Sequence, residues 1–149
     1  MVLWYPSKCG LKIHATPFEN GNTTIGTGNA SNKGNRLLLA GGRLDVGGTF
    51  TLNANSILAV EIQPNGLPEC ANITGNATFA KDTLLRPAAV RDAAYGRFPV
   101  LISTGTTGII NNGLTLDVPK GQETRWSHEI IGKTLYLTHR APRTLFLVR

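Results

Sequence analysis

Charge, cysteine and long apolar runs are all scarce in this 149-residue chain. Charged residues make up only 16% of it against 41% hydrophobic ones, and its 17 glycines stand beside a visible excess of Asn and Thr. That balance argues against a helical bundle, which would be rich in Glu, Lys and Ala, and against disorder; it suits a turn-rich β protein. No span approaches the ~20 apolar residues of a membrane-crossing helix. The N-terminal MVLWYPSKCGLKI lacks the basic region and apolar run of a secretory signal. The expectation is therefore that the protein stays inside the cell, or that the chain is the C-terminal piece of a longer exported polypeptide.

Cys9 and Cys70 are the only cysteines, and no Cys-x-x-Cys or Cys/His cluster accompanies them, so a zinc site has no support. Two unpaired thiols are the simpler reading. A single disulfide is the alternative in an exported chain, where closing so long a loop contributes about 4 kcal/mol on the chain-entropy model. The formal charge of +6 comes from Lys and Arg scattered along the chain, with mild enrichment at Lys133, Arg140, Arg143 and Arg149. Scattered charge reads as a solvated basic surface and not as the stripe of a nucleic-acid binder.

What is present is alternation. In RLLLAGGRLDVGGTFTLNANSILAVEI, Leu44 and Val46, then Phe50 and Leu52, then Leu58, Val60 and Ile62 sit two residues apart. This puts them on one face of extended strands while Arg43, Asp45, Thr49, Thr51, Ala59 and Glu61 face the other way. Strands are expected near 36–40, 43–46, 49–53, 57–62, 70–74, 77–80 and 83–86, separated by turns rich in Gly, Asn and Pro. Upstream, ENGNTTIGTGNASNKGN reads either as a linker or, the preferred reading, as one more strand around Thr23 to Thr27.

The one helix candidate runs from Pro87 to Gly96, where Pro opens and Gly closes an Ala-rich segment. After it come FPVLIS, GLTLDV, TRWSHEII and KTLYLT. The Gly132-Lys133 break between the last two predicts an antiparallel hairpin that covers the end of a stack. The final run from Thr144 to Val148 reads as an edge strand guarded by Arg143 and Arg149. The expected organisation is a weakly patterned lead-in or partial coil over residues 1–35, a body with its cap over 36–138, and a tail or edge strand over 139–149. Strands this short and turns this frequent fit either a solenoid or a sandwich.

Four segments carry a resemblance: AGGRLDVGGTFTLNANSILAVEI, NITGNATFAKDTLLRP, YGRFPVLISTGTTGI and WSHEIIGKTLYLT. Their order resembles the C-terminal part of autotransporter-type passenger regions and of autotransporter-associated β-strand repeat proteins, over about two thirds of the chain. The resemblance implies an all-β, short right-handed parallel β-helix with a C-terminal hairpin cap, secreted or displayed on a cell surface as stalk, adhesive surface or scaffold. Its implied partners are upstream repeats of a longer polypeptide or surface glycans. The alternative fold is a β-sandwich. The chain departs from the family in having no alternating ~10-residue strands of an outer-membrane barrel.

No catalytic, cofactor-binding or metal-ligating residue is assigned. GTGNAS at Gly26 to Ser31 lacks the third glycine and the following helix of a dinucleotide loop. GGRLDVGG shares only its glycines with calcium-binding nonapeptide repeats. Asp45, Glu61, Glu69, Asp82, Asp92, Asp117, Glu123 and Glu129 show no paired spacing of the kind glycoside chemistry needs, and His14, His128 and His139 stand alone. Asn22, Asn29, Asn72 and Asn76 each begin an N-x-Ser/Thr sequon, yet Asn and Thr are abundant in turns for conformational reasons. Trp4, Tyr5, Trp126 and Tyr136 are candidates for stacking on sugars, with core or end-cap packing the blander role. The expected function is a non-enzymatic structural or adhesive module; a fragment of a carbohydrate-active β-helix enzyme and a small carbohydrate-binding sandwich are the alternatives.

Overall fold

The computed structural model describes residues 2–3, 11–13, 18–19, 21–26, 35–40, 43–65, 70–88 and 93–142. Sixteen strands run through them. They are β1 (Val2–Leu3), β2 (Leu11–Ile13), β3 (Phe18–Glu19), β4 (Thr23–Ile25), β5 (Arg36–Leu39), β6 (Asp45–Val46), β7 (Phe50–Leu52) and β8 (Ile57–Glu61). There follow β9 (Ala71–Ile73), β10 (Ala77–Phe79), β11 (Thr83–Ala88), β12 (Gly96–Ser103), β13 (Ile109–Asn111), β14 (Leu114–Leu116), β15 (Trp126–Ile131) and β16 (Thr134–His139).

The strands form three sheets, and within each the neighbour is the strand three places on: β1-β4-β7-β10-β13, β2-β5-β8-β11-β14, and β3-β6-β9-β12 continued by β16-β15. Every pairing is parallel except β12 with β16 and β15 with β16. The protein is thus all-β with parallel sheets, and antiparallel contacts are confined to the terminal hairpin, unlike the meander of an antiparallel sandwich.

The register steps by 27 residues from Thr23 to Phe50, again from Phe50 to Ala77, and likewise from Asp45 to Asn72. Register partners on neighbouring strands place like residues above one another, whether or not the step between them is 27 residues. Leu37, Leu58 and Leu85 form one such column, Leu39 and Val60 a second, and Val46 and Ile73 a third. These residues, with Phe50, Leu52 and Phe79 from the first sheet and Leu101 from the third, make one hydrophobic cluster fed by all three sheets. The alternation read from Leu44 to Ile62 holds, with every expected inward residue buried. Ala59 is the exception on the other face. It is fully buried because its register neighbours Leu38 and Arg86 stand on either side of so short a side chain.

Two corners explain the period. Between the third and first sheets lie Gly21, Gly48, Gly75 and Gly105, each amide donating to the previous carbonyl: Gly48 to Gly21 at 2.9 Å, Gly75 to Gly48 at 2.8 Å and Gly105 to Gly75 at 3.2 Å. A Cβ on Gly75 would lie 2.6 Å from the Gly48 carbonyl oxygen, closer than real Cβ contacts come, so only glycine allows this spacing. Between the first and second sheets Asn55 and Asp82 occupy equivalent left-handed positions with φ of 61° and 60°. Asn and Asp tolerate that conformation better than other non-glycine residues.

Pro87 and Ala88 are the end of β11 and not the start of the expected helix, and no helix occurs among the described residues; residues 89–92 of that segment lie outside them. Pro87 fits a strand because β14 pairs with β11 only as far as Leu85, leaving the proline on a locally one-sided edge where its missing N–H is not needed. The hairpin forms with Ile131 opposite Thr134 and Gly132 at φ 57°, as expected. It extends the third sheet edgewise through β16, while Leu135, Leu137 and Trp126 enter the core. The lead-in holds β1 to β4, including the strand at Thr23, and these pair in the same parallel ladders. The expected edge strand from Thr144 to Val148 lies outside the described residues.

Candidate functional site

The described acids and histidines weighed from the sequence are dispersed through the structure, and most of them meet a local partner. Asp45 pairs with Arg43 and accepts from Asn72 one rung away at 3.1 Å. Asp117 pairs with Arg86 across the second sheet, Glu129 with Arg97 at 2.9 Å, and Glu61 accepts from Gln63 at 2.6 Å. Glu69, Asp92 and His14 lie outside the described residues, as do Asn29, Trp4, Tyr5 and Cys9. Among the described residues no three His, Cys, Asp or Glu side chains come together as a metal would require.

Two of the sequon asparagines, Asn22 and Asn76, serve the corners. The Asn22 Oδ1 accepts from the Thr49 amide at 2.9 Å, and the Asn76 Oδ1 accepts from the amides of Thr107 and Gly108 at 3.0 and 3.1 Å. Cys70 has no disulfide partner among the described residues. It is half-buried, and desolvation pushes its thiol up to about 12, partly offset by the Ile102 backbone. A thiol so placed is a poor nucleophile near neutral pH.

The densest gathering of polar and aromatic groups is at the cap. Trp126 opens β15 and His139 closes β16, so antiparallel pairing sets them opposite each other, and their rings stack with centroids 4.0 Å apart and planes 6° apart. The Nδ1 of His139 lies 3.0 Å from the Ala94 carbonyl, and Tyr95 leans on the same imidazole at 4.7 Å. Tyr95 is 54% exposed, and its hydroxyl accepts from Nη2 of Arg125 at 3.2 Å. Trp126 is buried, its indole N–H donating to Gln122 at 3.2 Å, so it is a packing residue; Tyr136 lies under the Arg97 guanidinium at 4.1 Å.

Beside this stack opens a groove of about 650 Å³ lined by Glu123 to Trp126 and Arg140 to Pro142. Its walls are held together by the Arg140 amide, which donates to the Arg125 carbonyl at 2.8 Å. Glu123 Oε2 accepts from the Gly121 amide at 2.8 Å, and backbone N–H groups of Glu123 itself and of Gly121 hold its carboxyl below the usual range. Neither Arg125 nor Arg140 has a carboxylate within ion-pair distance among the described residues, and Nε of Arg125 is buried without a partner.

Comparison of the chain with protein-family models, with curated proteins and with solved structures finds no match. The cap groove therefore stands on its own geometry. Sequence reasoning noted Arg140 only as part of a basic C-terminus and did not single out Tyr95 or Arg125. The signal for the two arginines is the flanking of two strands that pair with each other, Arg125 just before β15 and Arg140 just after β16; Tyr95 stands just before β12.

Proposed function

We propose that the protein is a short right-handed parallel β-solenoid, three strands to a turn, acting as a non-enzymatic structural or adhesive module of an autotransporter-like protein at a bacterial surface or in the secreted space. The observation that carries this reading is the 27-residue parallel register, repeated in two sheets and punctuated by stacked glycine corners. Chains that return to the same sheet with every third strand advance by a constant rise of about 4.8 Å per turn, which is the geometry of a stacked scaffold. Right-handed crossover is the rule for parallel connections of this kind. The outward column of Thr24, Thr51 and Thr78 gives the first sheet a polar face suited to display.

The partners that follow from this reading are upstream repeats, which would continue the parallel edges of β1, β2 and β3, and surface glycans. A panel of acidic and neutral polysaccharides tests the functional half. Beads coated with the protein should retain some of them, with no new reducing ends or unsaturated products; sustained turnover of any one would replace the adhesive reading with the enzymatic alternative.

A further inference from the structure

We propose that the cap groove is a binding site for a carboxylated sugar, the uronic-acid unit of an acidic polysaccharide. The inference deepens the adhesive reading and rests on it for its biological sense, but its test is separate.

Two features of the groove and one residue beside it meet the three parts of such a ligand. A uronic acid has a carboxylate, a ring face and several hydroxyl donors. For the carboxylate there are two guanidinium groups, Arg125 and Arg140, flanking one opening and free of carboxylate partners among the described residues. Guanidinium forks match a carboxylate bidentately, and arginine is less strongly hydrated than lysine, so a pair left open to an incoming anion favours this chemistry.

For the ring there is Tyr95, which does not line the groove but adjoins it through its bond to Arg125; it is half exposed, with the His139 imidazole against its ring and the Arg125 guanidinium carbon 5.9 Å from its centroid. A rigid aromatic presents stacking surface with little entropy left to lose. For the hydroxyls there is Glu123. Its oxygen bonded to Gly121 is held by its own turn, and the lowered proton affinity keeps it an acceptor at neutral pH. The same carboxylate disfavours a small, multiply charged anion with no donors, which would meet Glu123 without compensation. The arrangement is anchored, since the Arg140 to Arg125 backbone bond and the Trp126–His139 stack tie both walls to the hairpin.

The test titrates the full chain with tri-galacturonic acid, reading Kd by calorimetry and the site by amide and indole shifts in heteronuclear NMR. Saturable shifts should cluster at residues 123–126 and 140–142, galactotriose should give none, and raising salt from about 50 to 500 mM should weaken binding because the ion pair is screened. Arg140→Gln should raise Kd about tenfold or more with an unchanged melting temperature, since the residue is exposed, and Arg140→Lys should recover only part of the loss. Tyr95→Ala should weaken binding without abolishing the salt dependence. No saturable shift at 10 mM trisaccharide, on the order of the weakest useful affinities, overturns the site; so does binding that Arg140→Gln leaves untouched, or equal binding of a sulfated trisaccharide, which would remove the carboxylate as the recognised group. Turnover of the trisaccharide would instead refute the adhesive reading while leaving the site in place.

Discussion

Adding one methyl group at Gly75 should destabilise the protein, although the same change at an unstrained, uncrowded glycine ordinarily stabilises. Gly75 is not among the residues at positive φ, so alanine meets no backbone strain there. Its freedom in the unfolded chain falls, and that alone would add about 0.4–1 kcal/mol of stability. Against this, the new Cβ would sit 2.6 Å from the Gly48 carbonyl oxygen, 2.8 Å from the Gly48 carbonyl carbon and 3.0 Å from the Thr49 amide nitrogen. All three are backbone atoms, which cannot rotate away as a side chain would.

Relief requires the corner to open, lengthening the 2.8 Å bond from the Gly75 amide to Gly48. Losing that hydrogen bond costs about 1 kcal/mol and forcing the packed layers apart about 1–3 kcal/mol. The net expectation for Gly75→Ala is a loss of about 1–3.6 kcal/mol, or a melting point lower by about 2–14 °C for a domain of this size. Thermal and urea unfolding followed by far-UV circular dichroism measure it. A variant as stable as the parent, or more stable, would refute the argument that one turn rests directly on the glycine of the next.

Phe50→Ala should cost about 3–5 kcal/mol, because the ring is fully buried in the cluster shared by the three sheets, and urea titration would show it as a lower midpoint at constant slope. Asn76→Ala should cost about 0.5–1.5 kcal/mol by removing the side-chain acceptor of the Thr107 amide, the Gly108 amide keeping its bond to the Gly105 carbonyl, whereas Asn76→Asp, which keeps the acceptor, should recover most of it. Arg86→Ala should change stability by less than about 1 kcal/mol through its ion pair with Asp117, since both side chains remain over a third exposed. Cys70 is neutral when folded up to about pH 12 and ionises earlier when unfolded. Its contribution to stability is therefore complete below the ordinary thiol range and lost as pH rises towards about 12, and Cys70→Ala should flatten that alkaline decline in a series of melts.

The strands were legible in the sequence because their burial is one-sided. Leu44 to Ile62 alternate, and the alternation alone placed their inward face. Pairing was less legible: a parallel neighbour lies three strands away, and side-chain periodicity within a strand carries no information about that partner. The signal was present in the spacing of Gly21, Gly48 and Gly75, followed two residues on by Thr23, Phe50 and Ala77. It is easily missed because the positions share a geometry and not a side chain. The helix expected from Pro87 failed because terminal preferences describe an isolated segment, whereas Pro87 is buried opposite Val60 in an existing ladder. The cap groove was illegible for a different reason. Arg125 and Arg140 line it from separate segments, with Tyr95 from a third beside them, and only the antiparallel closure of β12, β16 and β15 brings the three together.

The central claim is that successive turns lie over one another in parallel register, and cross-strand proton contacts in solution test it most directly. Nuclear Overhauser effects should connect Thr24 with Thr51 and Thr51 with Thr78 in one sheet, and Leu37 with Leu58 and Leu58 with Leu85 in the next, with the staggered amide-to-α pattern of parallel strands. Close α-to-α contacts between sequence-adjacent strands such as β7 and β8, the mark of antiparallel hairpins, would contradict it.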